Sequence, residues 1–143
     1  MIEKSVLLPC PPERAFALFT ERAGEWWPPA RRHTKDPAST IRMEAAGRFF
    51  ERAGDGQEVE LGRVRVWQPP ARLVLDWYPG TDAAHPTEVE VEFVVEGTGT
   101  RVRVVHREGP ASAELFPARA PRYDASWELV LAALAGAAGL AER

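Results

Sequence analysis

The amino-acid sequence predicts an α+β fold: one curved antiparallel sheet of about seven strands wrapped around a long C-terminal helix, with a short helical insert after the first strand. Three observations carry this expectation. Tyr123, Trp127, Val130, Leu131, Leu134 and Ala138 recur at the spacing that gathers them on one side of a helix. Most of the chain before them reads as short segments of alternating polarity, which need one face covered by something large and apolar. The stretch 121–141 is the only candidate long enough, roughly 30 Å at ~1.5 Å per residue.

Residues 2–8 read as the first strand, stopped by Pro9, Pro11 and Pro12. A short helix begins near Pro12, with Ala15, Phe16, Leu18 and Phe19 as its apolar stripe, Glu13 in its first turn and Gly24 just past its end. Trp26 and Trp27 then lead through Pro28 and Pro29 into a polar stretch that holds Arg31, Arg32 and His33 and runs to Ser39. Two adjacent tryptophans are costly to leave in water, so at least one should close over apolar space.

From Thr40 the pattern is that of strands. Ile41, Met43 and Ala45 alternate with Arg42 and Glu44, and the run 48–52 ends in the turn signal Gly54-Asp55-Gly56, which predicts a hairpin. In the next strand Val59 and Leu61 oppose Glu58 and Glu60, but beyond Gly62 the alternation shifts by one, with Val64 and Val66 opposing Arg63 and Arg65. A bulge at Gly62 would keep all four apolar residues on one face. After Trp67-Gln68-Pro69-Pro70, Leu73, Leu75 and Trp77 form the next inward row, and a loop runs from Pro79 to Pro86. Val89, Val91, Phe93 and Val95 then face Val102, Val104 and His106 on the last pair of strands. Opposing Glu to Arg on their wet face pairs 96 with 101 and 90 with 107. A linker from Gly109 to Ala120 leads to the long helix, whose start falls between 121 and 125 with Pro121 in its first turn.

With 143 residues, 45% of them hydrophobic, the chain is expected to fold as a single domain over 1–143. A formal charge of −3 with interleaved acids and bases gives no footprint for nucleic acid or an anionic membrane. Met1 leads directly into a strand-like segment without a signal-peptide pattern, so a cytoplasmic protein is expected. One cysteine and three scattered histidines suggest neither a disulfide nor a metal site, and no motif points to a cofactor. The far side of the long helix carries Leu129, Ala132, Ala133, Gly136 and Leu140, an apolar stripe that is either an ordinary alanine-rich back or the face of a homodimer.

Several segments together carry a family resemblance: Phe19-Thr20 with Trp26-Trp27-Pro28; Gly47-Arg48-Phe49-Phe50-Glu51-Arg52 with Asp55-Gly56; Gly62-Arg63-Val64 with the run 67–73 and Trp77; and Thr87-Glu88-Val89 with Gly99-Thr100-Arg101-Val102 and His106-Arg107. In order and spacing they resemble bacterial START-like (SRPBCC, helix-grip) proteins, in the branch named after the activator of the heat-shock chaperone ATPase. Ser126 departs from the pattern, which expects Gly before Trp127. The resemblance implies a helix-grip fold. Relatives of this fold bind lipids, sterols, polyketides or hormones in a cavity, some catalyse cyclisation or dehydration there, and the branch name implies a possible chaperone partner.

On these grounds a small hydrophobic or aromatic ligand is expected, in a cavity bounded by Trp27, Trp77, His106, Tyr123 and Trp127 with Glu51 as a further candidate. His106, in phase with Val102 and Val104, is either a pocket acid/base or ligand-binding group or a hydrogen-bonded structural histidine. Glu51 faces inward if Phe49 does, and an inward carboxylate needs partners; if Phe50 is the inward residue, Glu51 faces solvent. The tryptophans and Tyr123 suit a plain core as well as a ligand box. No nucleophile elbow, phosphate loop or Ser-His-Asp order marks an enzyme. A binder is therefore preferred over an enzyme using His106 with Glu51 and over a chaperone-interaction module.

Overall fold

A computed structural model describes the backbone of residues 1–141 and the side chains up to residue 139. Seven strands, β1 (Ile2–Leu8), β2 (Thr40–Met43), β3 (Arg48–Arg52), β4 (Glu58–Gln68), β5 (Arg72–Trp77), β6 (Thr87–Glu96) and β7 (Gly99–Arg107), form one sheet in the order β1-β7-β6-β5-β4-β3-β2. Every neighbouring pair is antiparallel. Helix α1 (Pro12–Phe19) follows β1, and helix α2 (Phe116–Ala141) closes the chain. This is the helix-grip arrangement that the alternating strands and the single long apolar stripe imply.

The inward faces meet α2 as expected: Tyr123, Trp127, Val130, Leu131, Leu134 and Ala138 are all buried against Leu73, Leu75, Val89, Val91, Val102 and Val104. Helix α1 buries Ala15, Phe16, Leu18 and Phe19, and the Phe16 ring packs 5.0 Å from Trp67 and 5.1 Å from Phe93. On the outer end of α2, Lys4 of β1 pairs with Asp124 at 3.1 Å and Glu128 at 2.8 Å. Of the apolar stripe on the back of α2, Leu129, Ala132 and Gly136 are exposed and Ala133 is half-buried, while the side chain of Leu140 lies outside the described residues. Among the described residues no helix is long and apolar enough to cross a membrane.

Three local expectations need correction. Helix α2 starts at Phe116, five residues before Pro121, which sits inside it. The chain is turned into the helix by Ser112: its carbonyl accepts the N–H groups of Leu115 and Phe116 at 3.0 Å, and its hydroxyl accepts the Gly109 N–H at 2.8 Å and donates to the Pro86 carbonyl at 2.9 Å. Pro117, not Pro121, fills the first-turn position where a missing N–H is harmless.

The second correction is on β4. A bulge does occur at Gly62: Phe49 pairs with Gly62 and Phe50 with Glu60, leaving Leu61 as the extra residue, so that Leu61 and Val64 are buried while Arg63 and Arg65 are exposed. A side chain at position 62 would put its Cβ 2.1 Å from the Asp76 carbonyl oxygen and 2.9 Å from the Phe49 ring, so only glycine lets β4, β3 and β5 approach this closely. A second register shift follows at Arg65, after which Val66 pairs with Val74 on the outer face and Trp67 takes the inward place opposite Leu73. Val66 is therefore not part of the inward row.

The third is the β6–β7 register. The two-residue turn at Gly97 and Thr98 pairs Glu96 with Gly99, Glu92 with Arg103 and Glu88 with Arg107, two residues away from the expected pairing. Glu90 and Arg107 still meet at 3.1 Å, and Glu96 and Arg101 at 2.7 Å, but across the diagonal.

Candidate functional site: an aromatic cavity with a cationic rim

The open end of the grip lies where the first turns of α2 stand over the ends of β3, β4 and β5. A cavity of about 320 Å³ remains there. Its floor is made of buried side chains: Phe49, Leu61 and Trp77 from the sheet, and Tyr123, Trp127 and Val130 from one stripe of α2. Trp27 closes the side, with its ring 6.3 Å from Trp77, which is itself 5.1 Å from both Phe49 and Trp127. Trp26, the other member of the adjacent pair, turns away into the core, where its indole N–H donates to the Leu18 carbonyl at 2.8 Å. The rim consists of Ala30, Arg31, Arg32 and His33 on the loop, Pro79 and Gly80 after β5, and Arg119, Arg122 and Ser126 on α2.

His106 stands one layer behind this wall, fully buried. Trp127 donates its indole N–H to His106 Nδ1 at 3.0 Å, and His106 Nε2 lies 2.7 Å from the Thr87 hydroxyl. An indole nitrogen can only donate, so Nδ1 must be the acceptor and Nε2 carries the proton. That proton goes to Thr87, whose own hydroxyl then donates to the Trp77 carbonyl at 3.3 Å. The chain of bonds works only with a neutral ring, and burial, with a smaller push from the positively charged amino terminus, lowers the His106 pKa to about 3. Tyr123 stacks on the imidazole at 4.2 Å and donates its hydroxyl to the Pro79 carbonyl at 2.8 Å; burial raises its pKa. Gly80, at φ +83°, makes room for this hydroxyl, since a Cβ there would lie 2.6 Å from it.

Glu51 also points inward and is fully buried, but it serves the loop rather than the cavity wall. It accepts the backbone N–H groups of His33 at 2.7 Å and Thr34 at 3.0 Å, and the hydroxyls of Thr34 and of Ser39, the latter at 3.0 Å. Burial alone would raise its pKa, yet these four donors outweigh it and hold the carboxylate below its ordinary range. Arg32 ties the same loop from within, donating to the carbonyls of Gly24, Trp27 and Ser39 at 2.8, 2.9 and 2.6 Å. The polar stretch that runs to Ser39 is thus anchored at both ends of its turn.

Of the six residues singled out from the sequence, Trp27, Trp77, Tyr123 and Trp127 are therefore brought together on the cavity wall, while His106 braces it from behind and Glu51 anchors the loop through His33, Thr34 and Ser39. Sequence reasoning missed Arg31, Arg119 and Arg122. Arg119, Arg122/Tyr123, Ser126/Trp127 and Val130 form one stripe at helical spacing, but that becomes visible only once α2 is started before Pro121.

A family model described as Activator of Hsp90 ATPase homolog 1-like protein matches residues 9–139. The chain belongs to this family. Its cavity and brace thus stand on a START-like, helix-grip scaffold, and the solved structures similar to it agree. CalC from Micromonospora echinospora, a self-sacrificing resistance protein, is 28% identical with a TM-score of 0.74, over 96% of this chain and 92% of that one. The anthrahydroquino-gamma-pyrone synthase Txn09 is 28% identical with a TM-score of 0.59, over 94% of each chain. Protein NE0264 from Nitrosomonas europaea, 13% identical with a TM-score of 0.65 over 94% and 91%, shares the fold. Comparison with the curated proteins found no match.

Proposed function

We propose that this protein binds a small, flat, mainly apolar molecule in the cavity walled by Trp27, Phe49, Trp77 and Trp127. The observation that carries the reading is the cavity itself. Its volume of about 320 Å³ lies at the lower end of the range of ligand sites, roughly 300 Å³ and upward, in a core where the neighbouring large side chains are otherwise packed without exposure. Aromatic walls offer a planar ligand stacking and edge contacts, and Tyr123 and Ser126 offer a few polar contacts at one end. As part of this proposal the chain works as a single cytoplasmic domain without metal or cofactor.

An enzyme using His106 with Glu51 has less support. Both ring nitrogens of His106 are occupied, its pKa near 3 makes it a weak proton acceptor at neutral pH, and Trp127 and Tyr123 stand between it and the cavity. Glu51 is saturated with donors on the loop side. The likeness to a synthase keeps that reading in view, but the walls support binding better.

Native mass spectrometry of the purified protein is the direct test, followed by titration of aromatic probes against wild type and Trp77→Ala at equal folded fraction. A retained small molecule, or probe binding weakened in the variant, is the expected result. No retained molecule together with no probe binding up to millimolar concentration would overturn the proposal.

A further inference from the structure

The cationic rim adds a chemical class to the ligand. Arg31, Arg32, Arg119 and Arg122 face the cavity and, among the described residues, no aspartate or glutamate does, in a chain whose formal charge is −3. On the outer face of the sheet the opposite holds: Arg48, Arg52, Arg72, Arg101, Arg103 and Arg107 each lie against a glutamate. Among the described residues no carboxylate comes within ion-pair distance of Arg31, Arg119 or Arg122. Arg119 also stands at the first turn of α2, where the helix dipole disfavours a cation. Among the described residues no ion pair offsets the charges of Arg31, Arg119 and Arg122, whereas Arg32 has Glu51 and Asp36 nearby.

Two of the three side chains, Arg119 and Arg31, are nevertheless held in place. Arg119 Nε donates to the Gly80 carbonyl at 2.7 Å, and Arg31 Nε donates to the Ser126 hydroxyl at 2.9 Å, bridging the loop to α2. Arg31 Nη1 also reaches the Ala30 carbonyl at 3.4 Å, so the Nη groups of Arg119 and Nη2 of Arg31 are the parts left to meet a ligand, beside the exposed Arg122. Arg32 differs, because its guanidinium is consumed by backbone carbonyls.

We infer that the bound molecule is an aromatic acid: a planar apolar body lying among the tryptophans, with an oxyanion at the rim held by Arg31, Arg119 and Arg122. The inference rests on the cavity being a ligand site, and adds the charge. Guanidinium groups present parallel N–H donors that match a carboxylate, and charge-assisted bonds of this kind are roughly twice as strong as neutral ones.

A matched pair of probes separates the two statements. 2-Naphthoate and 2-naphthamide share one shape and differ in charge, and both can be followed by quenching of the cavity tryptophans or by calorimetry. Wild type should bind naphthoate about tenfold more tightly than naphthamide, and rising salt should erode that preference. The double variant Arg119→Gln/Arg122→Gln changes two exposed side chains, and its fold is checked by circular dichroism. It should lose at least about fivefold more affinity for naphthoate than for naphthamide. Equal affinity of wild type for the two probes, or equal losses in the variant, would overturn the acid while leaving the cavity as a ligand site. Binding of neither probe would overturn both.

Discussion

Lowering the pH from about 7.5 to about 5 should destabilise the protein through His106. In the folded chain its pKa is about 3, because the ring is buried and the positively charged amino terminus adds a smaller push in the same direction. Unfolded, the same ring titrates near 6.5. The unfolded state therefore takes up the proton first. Stability from this group is complete above about pH 6.5 and is lost as the pH falls from there towards 3. At ~1.4 kcal/mol per pH unit, the loss at pH 5 is about 2 kcal/mol, a large fraction of the 5–15 kcal/mol typical of a domain. Carboxylates held low in the fold, Glu51 among them, add most of their acid destabilisation below the ordinary carboxylate range, so the interval from 6.5 to 5 belongs chiefly to the histidine. Urea unfolding followed by tryptophan fluorescence at the two pH values gives the difference directly. In His106→Gln the side-chain carbonyl can accept from Trp127 and the amide can donate to Thr87, so the variant should be weaker by about 1–2 kcal/mol at pH 7.5 but should lack most of the further loss at pH 5. If wild type and His106→Gln lose the same stability over this interval, the assignment of a buried neutral imidazole is wrong.

Two further outcomes test the frame around the cavity. Gly62→Ala should cost about 3 kcal/mol or more, seen as a lowered Tm, because the new methyl meets the Asp76 carbonyl and the bulge has no room to yield; a change within 0.5 kcal/mol would refute the close approach. Glu51→Gln should cost roughly 2 kcal/mol and should speed proteolytic cleavage within residues 33–39, since the amide cannot accept from four donors at once; an unchanged cleavage rate would show that the loop is held by other contacts.

Much of this architecture was legible because it follows from periodicity. The inward rows of β5 and β7 and the stripe of α2 alternate or recur as the sequence implies, and the break in phase at Gly62 marks the bulge; on β6 the inward row ends at Phe93, because Val95 lies beside the turn at the strand end and is 65% exposed. What was not legible depends on geometry that a one-dimensional pattern does not carry. Pro117 and Pro121 both satisfy the local preference for a helix start, and the choice is made by Ser112, whose partners at Gly109 and Pro86 come from another part of the chain. Placing the start at Pro121 put Arg119 in a linker, which hid the rim. The second register shift, at Arg65, left no break in alternation, because Val66 and Trp67 are both apolar and either could face in. His106 and Glu51 were recognisable as inward polar residues, but their roles depend on Trp127, Thr87 and the loop 33–39, contacts remote in sequence.

A void of this size beside so many large rings invites collapse, since each surface that faces it forgoes van der Waals contacts. Hydrogen bonds at the edges of the aromatic side chains oppose that collapse. Trp127 is held by His106 on the side away from the cavity, Tyr123 by the Pro79 carbonyl, and Trp26 by the Leu18 carbonyl. For Trp127 to swing into the space it would have to abandon a buried acceptor, at a cost of roughly 1–3 kcal/mol, and the same holds for Tyr123. The loop that carries Trp27 and Arg31 is fixed in turn by Glu51, Arg32 and the Arg31–Ser126 bond, so the mouth does not close by sagging. Ser126, where the family pattern expects glycine, thus has a physical role here: its hydroxyl links the loop to α2 across the rim. The polar residues behind the wall and the aromatic residues on it form one device, in which satisfied hydrogen bonds behind the rings keep an apolar space open in front of them.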